Sequence, residues 1–189
     1  MSRRRFFTLL PQIATLLVVT VAGGGCASAL DTFAITRTPN ATIKGDSVLG
    51  GLLPSLGFGS LSEMNLSQSD EFKNQGVEKH QVDSVRLTLL RLRVASPASQ
   101  DLRFMNKIEF YAESPGLAKI LVATGGSFGP GQSTVDLTLP AAELKPYVTA
   151  DKMSLTTVVD GKPPKQDTQI EATVTLRVDV DVTGTVVGK

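Results

Sequence analysis

The sequence predicts an all-β protein, an antiparallel β-sandwich carrying one or two short helices. Three observations carry that expectation. From Leu30 onward the dominant hydrophobic period is two; clusters of turn-forming residues separate the alternating runs; and helical spacing is confined to two short stretches. A chain of 189 residues, 41% hydrophobic and 20% charged, suits one domain of ordinary size and leaves little room for a second.

Taken in order, Phe33, Ile35 and Ile43 share one parity and suggest an opening strand. Ser69 or Asp70 is placed to cap a short helix running through Asn74, and Gly76 is placed to end it. Between Ser84 and Val94 the phase slips: Val85, Leu87 and Leu89 take one parity, and Leu90, Leu92 and Val94 take the other. A β-bulge near Leu89-Leu90 keeps both halves facing the core. Phe104, Ile108 and Phe110 then form a face opposite Lys107 and Glu109, and Ser114-Pro115-Gly116 turns that strand into Lys119–Thr124 as a hairpin. Val135, Leu137 and Leu139 alternate with Thr134, Asp136 and Thr138, and Ala141–Tyr147, entered from Pro140, has room for one helical turn. Met153, Leu155 and Val159 make a further strand, which Asp160-Gly161-Lys162-Pro163-Pro164 joins to the last as a second expected hairpin. In that last strand Ala172, Val174, Leu176, Val178, Val180 and Val182 point one way, and Thr173, Thr175, Arg177, Asp179 and Asp181 point the other. Such a run is a half-buried antiparallel strand with one wet face. Seven or eight short strands make a sandwich; an immunoglobulin-like arrangement is one form of it, without that family's Cys pair and core Trp.

The first thirty residues read as an address. Arg3, Arg4 and Arg5 precede an uncharged run from Phe6 to Ala22, which Pro11 and Gln12 interrupt. The continuous apolar part, Ile13–Ala22, rises about 15 Å as a helix, half of a hydrocarbon core. Residues 1–25 are therefore expected to be a cleaved export signal. The sole cysteine follows at once, and Ala22-Gly23-Gly24-Gly25-Cys26 resembles the lipobox of bacterial lipoprotein precursors, with Gly23 where Leu is usual. The resemblance implies that Cys26 is acylated, that residues 26–31 are a lipid-anchored N-terminus and short tether, and that 32–189 form the sandwich domain. Ala27, standing where Asp would favour retention in the inner membrane, implies the outer membrane. Ser2-Arg3-Arg4-Arg5-Phe6-Phe7 is similar to a twin-arginine export signal, although the same residues also serve as an ordinary charged start for the general secretory route. The alternative cleavage site, Ala27-Ser28-Ala29, releases a soluble periplasmic or secreted chain beginning at Leu30.

Charge narrows the function classes. Lys plus Arg is 19 and Asp plus Glu is 18; without residues 1–25, which hold three Arg and no acid, the balance is 16 against 18, a formal charge of −2. Nothing in that balance drives nucleic-acid binding. One His and one Cys exclude a disulfide framework and any site needing two imidazoles. Gly126-Ser127-Phe128-Gly129-Pro130-Gly131-Gln132-Ser133 approaches a P-loop, but Gln132 stands in place of the phosphate-binding Lys and a strand pattern follows instead of a helix. His80, in Glu78-Lys79-His80-Gln81, reads as a solvated surface histidine. Asp179 and Asp181 share a strand face about 7 Å apart, a spacing open to calcium or acid–base work but also to a solvated face paired with Arg86, Arg91 or Arg93. Those arginines and Arg103 concentrate positive charge, as a charged outer face or a weak anion contact.

The segment Val48–Leu61 is apolar, uncharged and rich in glycine, which is unusual for a surface loop. Leu52, Leu53, Leu56 and Phe58 either cover an open end of the sandwich or form an exposed patch that touches lipid or a partner, and the second reading makes them the candidate interaction patch. The leading expectation is a non-enzymatic, lipid-anchored cell-envelope protein in a structural or protein–protein role, with no catalytic residue, cofactor or metal. The partners are then the membrane, through Cys26, and an envelope protein. A carrier for an apolar ligand or lipid is the alternative, and a soluble exported hydrolase using acidic residues is the third.

Overall fold

The computed structural model describes residues 32–45, 53, 55–62 and 64–181. Within them run β1 (Thr32–Arg37), β2 (Asn40–Ile43), α1 (Asp70–Gln75), β3 (Val82–Ser96), β4 (Met105–Glu113), β5 (Ile120–Gly126), β6 (Thr134–Asp136), α2 (Lys145–Val148), β7 (Ser154–Gly161) and β8 (Thr168–Val180). Every strand pairing is antiparallel. One sheet holds β1 and β2, then β8, β3 and β6; the other has the order β5-β4-β7. Their inner faces share a core in which Phe58 and Phe110 stack with ring centroids 5.8 Å apart. The protein is an antiparallel β-sandwich, as its hydrophobic period requires. Its strand order differs from the immunoglobulin one, which keeps the last strand in the sheet opposite the first two; β8 instead lies between β1 and β3.

β8 is the spine of the first sheet. Ala172, Val174, Leu176, Val178 and Val180 are all buried, as the alternation demands, while Val182 lies outside the described residues. Along one side of β8, β1 and β2 form a single edge strand in two pieces: Arg37 faces Val174 and Asn40 faces Glu171, so the register runs on across Thr38-Pro39. Proline is tolerated at such an edge, and the Pro39 carbonyl still accepts from the Ala172 amide at 2.9 Å. Along the other side, β3 carries the expected bulge about one residue early. Leu87 pairs with Leu176 and Leu89 with Thr175, which leaves Thr88 as the extra residue, its hydroxyl donating to the Thr175 carbonyl at 3.1 Å. Val85 and Leu90, of opposite parity, are thereby both buried.

The two open sides of the sandwich are closed differently. Beyond β6, Thr138 exchanges two backbone hydrogen bonds of 2.9 Å with Thr124 of β5, so this segment crosses from one sheet to the other and zips that side. On the opposite side the described part of the connection from β2 to β3 fills the gap between β1 and β7. Met64 bridges Met153, the Thr157 hydroxyl donates to the Leu56 carbonyl at 2.9 Å, and Phe72 of α1 meets Phe33 of β1 edge-to-face at 5.1 Å. Helix α1 follows the expected pattern, with Ser69 at its N-cap and Gly76 at φ 63° ending it.

Leu53, Leu56 and Phe58 belong to this plug and are buried, at 7%, 6% and 2% exposure. The exposed patch expected of them is therefore replaced by the other reading, a cover over the core; an apolar, uncharged segment is what a buried crossover needs. Leu52 lies outside the described residues. The plug is latched by a charge pair. Arg37 has the inward parity of Phe33 and Ile35, and Glu71 of α1 answers it with two hydrogen bonds, Nη1 to Oε1 at 2.5 Å and Nη2 to Oε2 at 3.1 Å. The Arg37 hydrogen bond is the main cause that lowers the Glu71 carboxyl to about 2.

Three further expectations are corrected. β7 and β8 do not form a hairpin: they lie in different sheets, so residues 162–167 cross the end of the sandwich. Phe104 lies not on β4 but in a 3-10 turn, Leu102–Phe104; the register shift between Met105 and Lys107 hands the inward position to Met105. The late helix is only Lys145–Val148, with Pro146 rather than Pro140 in its first turn. Among the described residues no helix is long and apolar enough to cross a membrane.

Candidate functional site

The ends of the sandwich differ in chemistry. At one end lie Thr32, paired with Asp179, and Val82, paired with Val180. The other end, where β8 begins beside Ser96 of β3, gathers the β3–β4, β5–β6 and β7–β8 connections. Between the β3–β4 and β7–β8 connections opens a cleft of about 550 Å³, whose lining includes Gln100, Asp101, Arg103, Phe104, Lys162 and Lys165.

Local chemistry builds each wall. Asp101 caps the 3-10 turn by accepting from the Arg103 amide at 3.2 Å and pairs with Arg103 Nε at 2.8 Å. It also accepts from the Gly131 amide at 2.9 Å, the largest of the causes that hold its carboxyl below the ordinary range. The Gly-rich loop does not line the cleft; it is tied behind Asp101, and its amides turn to the protein. The Gln132 side chain accepts from the Gly129 amide at 2.9 Å, the Gly131 amide is taken by Asp101, and the Ser127 amide donates to the Asn106 carbonyl at 3.1 Å. A P-loop aims its amides outward at phosphate; three of the amides of this loop are spent on the protein itself.

The second wall is Lys162-Pro163-Pro164-Lys165. It is docked by the Lys162 amide, which donates to the Phe104 carbonyl at 2.8 Å. Gly161 makes the docking possible, because a Cβ there would stand 2.3 Å from that same carbonyl oxygen. Two successive prolines restrict the chain both at themselves and at the residue before them, so the loop is stiff.

Elsewhere most cations are paired with carboxylates. Arg91 grips Asp136 with two hydrogen bonds, Arg93 pairs with Glu171, and Lys107, Lys119, Lys79 and Lys44 pair with Glu109, Glu113, Asp151 and Asp167. Hydrogen bonds from these partners depress the carboxyls of Asp136, Glu109, Glu113, Asp151 and Asp167. A carboxyl held as an anion is the reverse of what a general acid needs. Asp179 is held by Arg177 at 2.9 Å and by the Ser84 hydroxyl at 2.9 Å, so its partners differ from the arginines expected of it. Arg86 faces Arg177 across the strands and makes no ion pair among the described residues.

The other sequence candidates are scattered. His80 is 76% exposed beside Glu78, at the end remote from the cleft. Tyr147 is buried, its hydroxyl donating to the Ala118 carbonyl, and Lys119 stands 4.7 Å over the Tyr111 ring. Among the described residues no group of three or more His, Cys, Asp and Glu is placed to hold a metal ion. Cys26 lies outside the described residues. Sequence reasoning missed the cleft because its walls come from two separate connections; the Lys-Pro-Pro-Lys run was the one local signal for it.

No family model and no curated protein matches the chain. Among solved structures it is similar to the decameric BFDV capsid protein, at 11% identity and a TM-score of 0.42, over 79% of this chain and 98% of that one.

Proposed function

We propose that the chain is an exported lipoprotein, anchored in the outer membrane through Cys26, whose sandwich is a non-catalytic module presenting its end loops to another envelope protein. The observation that carries the reading is the position of the only cysteine: it closes the apolar run of the N-terminus and stands six residues before Thr32, where the edge strand begins. Five intervening residues span at most about 20 Å, a short tether between lipid and sheet. Two or three acyl chains hold a domain firmly, at about 0.8 kcal/mol for each buried methylene. Support for a binding module comes from the far end of the sandwich, where stiff connections frame an open cleft over a filled core.

The test is fractionation of the host's cells. Wild-type protein should pellet with membranes, and Cys26→Ser should shift it to the soluble fraction. A Cys26→Ser chain that pellets as before would contradict lipid attachment.

A further inference from the structure

We propose that the cleft framed by Arg103, Lys162 and Lys165 is a binding site for an acidic peptide segment of a partner protein. This rests on the reading of the sandwich as a binding module, and it names the chemistry of the partner.

The cleft carries positive charge that no carboxylate answers, as do the isolated Lys73, Arg86 and Lys145, but here three cations share one cavity. Lys162 and Lys165 pair with no carboxylate among the described residues, although most of the other cations do. The one acid in the lining, Asp101, is already committed to Arg103 and to the Gly131 amide. That ion pair uses Nε of Arg103, and no partner of its two terminal nitrogens is found among the described residues. Those nitrogens are the edge from which a guanidinium grips a second carboxylate.

The backbone that carries the two lysines is also held in place. Pro163 and Pro164 stand between them and fix φ at two successive positions. Both lysines line the one cleft. The Lys162 amide and Gly161 fix this loop against Phe104, so little ordering is lost when a ligand arrives. Phe104 and Pro163, each half-buried, supply an apolar surface for the backbone of a short segment.

Position decides between a peptide and lipid headgroups. β8 runs 13 residues from the cleft end to the Thr32 end, about 40 Å at the usual strand rise. That is roughly twice the reach of the tether. A chain anchored at Cys26 therefore carries the cleft on the side away from its own membrane, facing other proteins.

The experiment measures fluorescence anisotropy of a labelled eight-residue Asp/Glu-rich peptide titrated with the mature full-length protein. A peptide with Asn and Gln in place of Asp and Glu, inorganic phosphate and anionic phospholipid vesicles serve as comparisons. The expected result is saturable binding of the acidic peptide alone, weakening several-fold as salt screens the charges. Lys162→Gln with Lys165→Gln should weaken it at least tenfold, and Lys73→Gln with Lys145→Gln, the same change in net charge elsewhere, should leave it within twofold. Equal loss in both double variants, no binding by the wild type, or preference for phosphate or vesicles would overturn the proposal. Membrane fractionation of Cys26→Ser is read separately, so failure of the cleft and failure of the anchor are distinguishable.

Discussion

Replacing Glu71 by Gln tests whether the charge pair at the plugged side holds the sandwich shut. Arg37 sits at an inward-facing position of the edge strand, and the bidentate pair with Glu71 is what makes a charge tolerable there. Lowering the Glu71 carboxyl from 4.5 to about 2 corresponds to an upper limit of about 3 kcal/mol of folding free energy. Each side chain is 31% exposed, and solvent screening at that exposure reduces the expected contribution to about 1–2 kcal/mol. Because the folded value is depressed, this stability is fully present above pH 4.5 and is lost as the pH falls through about 2. Urea unfolding of wild type and Glu71→Gln should therefore differ by a constant 1–2 kcal/mol from neutral pH down to about pH 5. The gap should then shrink as acid protonates the wild-type carboxylate. A variant as stable as wild type at pH 7, or a gap that persists unchanged at pH 2.5, would refute the latch.

Other side chains carry equally direct expectations. Phe58→Asp places a charge where exposure is 2%, beside Phe110; it should cost about 4 kcal/mol or more and abolish the cooperative unfolding transition. Circular dichroism of a folded, partner-deficient variant would instead restore the exposed patch. Gly161→Ala sets a methyl group 2.3 Å from the Phe104 carbonyl oxygen; a loss of about 2 kcal/mol, seen in denaturant midpoints, is expected together with displacement of the Lys162–Lys165 wall. Ala123 is fully buried opposite Phe110, so Ala123→Leu should overpack the core by about 1–3 kcal/mol. Retained stability with lost uptake of an apolar dye would favour the carrier instead.

What could be read from the sequence was local. The alternation of Ala172–Val180, the phase slip that becomes the Thr88 bulge, the Ser69–Gly76 helix and the turn at Ser114-Pro115-Gly116 each arise from residues within a few positions of one another. Their burial follows from parity alone. Pairings between distant segments left no such trace. Asp160–Pro164 has the composition of a hairpin turn, yet the chain crosses between sheets there, because β8 finds its partners in β1 and β3. The apolar run around Leu53–Phe58 has the same composition whether it covers a core or is exposed; only the gap between β1 and β7 decides it. Arg37 and Glu71 are 34 positions apart, and nothing in their neighbourhoods signals that each is the other's partner. The cleft is a like case, since Asp101 and Lys162 come from two different connections some sixty positions apart.

The central claim is the lipid anchor at Cys26, and the intact mass of the protein recovered from a membrane fraction of its own host tests it most directly. The expected species is a chain that begins at Cys26 and carries the added mass of its acyl groups. A chain that begins at Leu30 without lipid, or one that retains residues 1–25, would contradict it.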